Sequence, residues 1–75
     1  MNIELLVKMA NEISVFFASD SPPQQAAQDV ATHLRRFWEP RMRRQIVSHY
    51  EERHGEGLND LARRAVALLA AESRQ

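Results

Sequence analysis

Seventy-five residues, ten of them basic and ten acidic, with no cysteine, set narrow bounds. Such a chain forms one domain at most, here residues 1–75, and buries a smaller fraction of its surface than a larger protein does. Without thiols it builds no disulfide, iron–sulfur or thiolate zinc site; no run approaches the roughly 20 apolar residues of a membrane helix, and the start MNIELLVKMANEI lacks the basic flank of a secretory signal, so a cytoplasmic setting is expected.

The first predicted helix covers residues 3–18. Ile3, Leu6, Ala10, Ile13 and Phe17 recur at helical spacing. Leu5, Met9 and Phe16 widen the stripe on one side and Val7 on the other, while Glu4, Lys8, Asn11 and Val15 form the opposite face. An apolar stripe this wide calls for two packing neighbours, or leaves surface on which the isolated chain self-associates. In the break that follows, Ser21 reads as an N-cap, Pro22 as the first helical residue and Gln24 as the partner in a capping box.

A second helix is predicted over 22–38, with Ala27, Val30, Leu34, Phe37 and Trp38 as its apolar stripe and Ala31 at the edge. Pro40 disfavours helical backbone at Glu39 and ends the helix there. The third helix spans 40–54, with Met42, Ile46 and Tyr50 on one face and Gly55 as a left-handed stop. The fourth covers 59–72, with Asn59 as N-cap and Leu61, Ala65, Leu68 and Leu69 on the buried side; the terminal AESRQ is expected to fray. No segment alternates like a strand. The fold class is all-α, a small four-helix domain with short loops.

Charge is unevenly distributed. Residues 1–32 carry −3 and residues 33–54 carry +3, although the whole chain is neutral. The positive block is HLRRFWEPRMRRQIVSH (33–49), where Arg35, Arg36, Arg41, Arg43 and Arg44 crowd around the only tryptophan. Arg35 and Arg36 suit the last turn of a helix, where cations complement the dipole. Arg41, Arg43 and Arg44 fall in a first turn, where each is wrong-signed by about 0.3–1 kcal/mol. Glu39 or the acidic first half of the chain can offset that. On the helical wheel, Arg41 and Arg44 point away from Met42, Ile46 and Tyr50, toward any acidic partner. Phe37 reads as a core aromatic closing the corner between two helices. Trp38 fits a core position and an interface anchor about equally, since tryptophan and arginine are common anchors of interfaces.

Catalytic chemistry finds no support. His49 and His54, five residues apart, do not chelate as an i,i+4 pair does, and His33 stands alone; surface or helix-end roles are the ordinary reading of all three. No metalloprotease, phosphate-loop or nucleophile motif is present. The expectation is no catalytic residue, no metal ligand and no cofactor in this chain. Nucleic-acid binding is disfavoured, because acids interleave with the arginines and the sequence pI is near neutral.

Two stretches also carry a resemblance. LLVKMANEISVFF (5–17), followed by HLRRFWEPRMRRQIVSH, resembles the delta subunit of NAD-dependent, molybdenum-containing formate dehydrogenases, over about residues 3–70. The Phe37–Arg43 block is the most specific part; aspartate is more usual in that family at the position of Glu39. The resemblance implies a non-catalytic accessory subunit of a soluble cytoplasmic complex, supporting its assembly or stability. It also implies that the molybdenum–pterin centre, the iron–sulfur clusters, FMN and the NAD site belong to other subunits, the catalytic alpha subunit being the expected partner. Phe37, Trp38, Pro40, Arg41, Met42 and Arg43 carry over as a structural and docking element, with Arg44 added on helical geometry. An unrelated small helical adaptor and a nucleic-acid binder are the alternatives.

Overall fold

The computed structural model describes residues 1–73, and the described residues form four helices and no strand. The first, α1 (Ile3–Asp20), begins where the Asn2 side chain accepts a hydrogen bond from the Glu4 amide at 2.7 Å. It continues two residues beyond the expected end. Ser21 closes it, donating its N–H to the Phe17 carbonyl.

This changes the role expected of Ser21. Its hydroxyl donates to Asp29 Oδ2 at 2.6 Å rather than capping the next helix. Pro22 is the N-cap of α2 (Pro23–Phe37), and no side chain completes a capping box. The consecutive prolines fix the extended entry and the first helical turn through their φ angles. Pro23 lacks one of the N–H groups that a helix start leaves unpaired, so less capping is needed.

The second helix stops at Phe37 because both Trp38 and Glu39 are extended, with ψ of 140° and 151°. The next, α3 (Pro40–Arg53), ends in a left-handed turn that starts one residue before the glycine, at His54 (φ 57°), and continues through Gly55 (φ 69°). A β-carbon on Gly55 would lie 3.0 Å from Leu58, so the turn needs glycine for space as well as for φ. Asn59 caps α4 (Asp60–Glu72) as expected, accepting from the Ala62 amide at 2.8 Å.

Both α1 and α4 pack against all three other helices, while α2 and α3 pack chiefly on those two. The first and last helices thus form the short diagonal of the bundle. Close approach there suits small residues. The buried positions of α4 are Ala62, Ala65, Val66, Leu69 and Ala70, and those of α1 are Leu6, Ala10 and Ser14. Val30, Ala31 and Leu34 of α2 and Ile46 of α3 complete the core with Trp38 and Leu58.

Asn11 lies on the packed side, contrary to its expected outward place. Its side chain donates to the Gly57 carbonyl and accepts from the Asn59 amide, both at 2.9 Å. It ties α1 to the loop before α4, and the polarity that suggested a solvent face serves this bridge. The far end of α4 is held by Arg35, which makes two hydrogen bonds to the Glu72 carboxylate. No helix among the described residues is long and apolar enough to cross a membrane.

Candidate functional site

The arginine–tryptophan corner separates into an inner and an outer set. Trp38 is only 5% exposed and belongs to the core cluster. Of the two roles its sequence allowed, the fold gives it the buried one. Phe37 is 68% exposed, so the core placement expected for it does not hold. The reason is the helix end: once Trp38 turns into extended backbone, its indole points inward while the preceding residue stays on the outer helical face. Met42 is half-buried, and Pro40, Arg41 and Arg44 are exposed.

Arg43 is drawn inward. Its Nη1 donates to the Trp38 carbonyl at 2.9 Å and also to the Arg35 carbonyl. Those oxygens belong to the last turn of α2, the negative end of its dipole. An arginine wrong-signed for the start of α3 is therefore right-signed for the end of α2, and it fixes the two-residue corner. Arg43→Ala is expected to lower stability by about 1–2 kcal/mol, since a charged donor to otherwise unpaired carbonyls is lost. Urea unfolding followed by circular dichroism measures this; an unchanged midpoint would show that water replaces the guanidinium without loss.

Arg41 and Arg44 have no such internal role. Neither forms an ion pair with a described residue; among those residues, ion pairs join Arg35 to Glu72 and Arg63 to Asp60. Glu39, the N-cap of α3, makes no side-chain capping bond. Arg44 stands between two open grooves. One, of about 540 Å³, runs between α3 and α4 and is lined by Pro40, Arg43, Val47 and Leu69 among others. The other, of about 470 Å³, is bordered by Arg41, Gln45, His49 and Ile3. The outer face of α3 thus presents two guanidiniums beside partly apolar depressions.

The histidines are spread apart. His49 Nε2 lies 2.8 Å from the Glu56 carbonyl, His54 is the left-handed cap of α3, and His33 stacks between Phe17 and Phe37. No three His, Asp or Glu side chains among the described residues are placed to hold a metal ion.

Sequence reasoning found only the α1 part of a second surface. Phe16, Phe17, His33 and Phe37 form a continuous aromatic strip across α1 and α2, with successive ring centroids 5.1, 6.0 and 4.8 Å apart. Phe16 is 61% exposed. The signal was the excess width of the first helix's stripe, but Phe37 could not be added to it while it was read as core.

A family model described as NADH-dependent formate dehydrogenase delta subunit FdsD matches residues 5–66 of the chain. No curated protein matches it, and no solved structure does.

Proposed function

The chain belongs to the family of NADH-dependent formate dehydrogenase delta subunits, and on that premise we propose that it is a non-catalytic accessory subunit which supports assembly or stability of a soluble cytoplasmic enzyme complex. In this reading its partner is the catalytic alpha subunit, and the redox groups (molybdenum–pterin, iron–sulfur clusters and FMN) and the NAD site lie in other subunits. Arg41 and Arg44 dock on an acidic patch of that partner. Phe37, Pro40 and Arg44 contribute the exposed contact surface, while Trp38, Met42 and Arg43 hold the corner that presents it.

One observation carries this reading: exposed Arg41 in the first turn of α3 and exposed Arg44 just beyond it lie at the end where the dipole opposes them, and no carboxylate among the described residues forms an ion pair with either. An external acidic surface offsets that cost in the complex.

The test is Arg41→Glu with Arg44→Glu in a tagged subunit. The helical fold is expected to survive, gaining up to about 1 kcal/mol from the dipole at position 41 and less at position 44, beyond the first turn. Association with the other subunits should weaken by roughly a hundredfold or more, since reversal sets like charges against each other. Co-purification with the untagged subunits and thermal melting of the free chain measure the two effects. Recovery of the partners at the wild-type level would remove the docking role from these arginines.

A further inference from the structure

The aromatic strip is bordered by charge of both signs, in a fixed order. Glu12 and Asp20 lie one helical turn before and after Phe16, so acid, phenyl and acid share one face of α1. Beside Phe37 on α2 stands Arg36, its guanidinium carbon 5.9 Å from the ring centroid. Glu12, Asp20 and Arg36 are all exposed, and none makes an ion pair with a described residue. Lys8 lies a turn before Glu12, and Asp29, a turn before His33, is already held by Ser21 and Gln25; the charges next to the two exposed rings are thus acidic on α1 and basic on α2.

We infer that the isolated chain pairs with a second copy of itself across this strip, α1 of each copy lying against α2 of the other. A two-fold axis that sets Phe37 of one copy on Phe16 of the next brings Arg36 toward the second copy's Glu12 and Asp20. Symmetry repeats the contact on the other side. The alternative overlays fail on charge: α1 on α1 gathers four carboxylates, and α2 on α2 faces arginine with arginine. A uniformly acidic partner satisfies the α2 half and is repelled by the α1 half, and a uniformly basic one does the reverse. A second copy carries both halves in complementary order. The pairing does not use Arg41 and Arg44, which lie on the outer face of α3, but Phe37 belongs to both proposed contacts, so self-pairing and docking compete for that ring.

The experiment is sedimentation equilibrium of the full chain over a wide concentration range, with circular dichroism to confirm that each variant stays helical. The wild type is expected to approach twice the chain mass. Arg36→Glu alone, and Glu12→Arg with Asp20→Arg, should each raise the dimer dissociation constant by roughly tenfold or more, because each sets like charges on both sides of the axis. An equimolar mixture of the two variants should pair again, since every altered charge then meets its opposite. Phe37→Ser, which alters no charge, should also dissociate the dimer.

A wild type that remains monomeric at the highest concentration overturns the inference. So does a dimer unaffected by these changes, which would lie on another surface. Variants that dissociate but do not pair when mixed would overturn the crossed arrangement of α1 on α2.

Discussion

Trp38→Ala is expected to bring the chain close to global unfolding. Removing a buried tryptophan costs about 3–5 kcal/mol. A domain of this length has a total stability on the order of 4–11 kcal/mol, so one side chain accounts for a large part of the whole. The indole is 5% exposed and sits where α2 leaves its helical path. Its loss opens a cavity at a corner that packing and the Arg43 hydrogen bonds hold together. In a thermal melt followed at the helical band, the midpoint should fall by roughly 12–40 °C, taking about 4–8 °C per kcal/mol for a domain of this size. Phe37→Ala, one residue earlier, should change it little, because most of that ring is already in water. Equal shifts for the two variants would mean that the indole is not part of the core.

The second large effect is expected at Ser14. This residue is 1% exposed, and its hydroxyl donates to the Ala10 carbonyl at 2.9 Å within α1. Ser14→Asp places a carboxylate in that dry position without a cationic partner, and the penalty for a buried ion is several kcal/mol even after relaxation. Ser14→Ala removes a donor whose acceptor already belongs to the helical ladder, so its effect should stay within about 1 kcal/mol. Denaturant titration of the two variants separates a packing requirement from a hydrogen-bond requirement. If aspartate were tolerated as well as alanine, water would have to reach the site.

Much of the helical plan was legible because its punctuation is local. Asn59 caps α4 and Pro40 opens α3 as their side-chain chemistry requires, and apolar spacing placed Leu6, Ala10, Val30, Leu34, Ile46, Ala65 and Leu69 in the interior. Errors arose where one residue had two local uses. Ser21 had the composition of an N-cap, but its hydroxyl reached a carboxylate eight residues on, and two consecutive prolines made a side-chain cap dispensable. Phe37 and Trp38 could not be sorted by periodicity, since adjacent residues at a helix end are separated by the backbone angles of the second.

The candidate surface was only half legible for a related reason. Helical geometry placed Arg41 and Arg44 outside, whereas nothing in the local pattern assigned Arg43 to the carbonyls of the preceding helix. Asn11 was misplaced because its polarity suggested solvent, and Ser14 was assigned to neither face. Their actual partners are, for one, a loop far along the chain and, for the other, the carbonyl one turn back along its own helix. Such satisfaction of buried or bridging polar groups depends on the tertiary arrangement.

The short diagonal of the bundle joins the first of the four helices to the fourth. During synthesis α1 emerges with its neighbours α2 and α3 still to come, and their arrival covers only part of its stripe. The face around Ala10 and Ser14 waits for residues beyond Asp60, as do the Gly57 and Asn59 groups that Asn11 engages. The four helices therefore complete one core together, and no N-terminal part of the domain is finished without the last of them. Without α4, the other three helices leave that flank of α1 open.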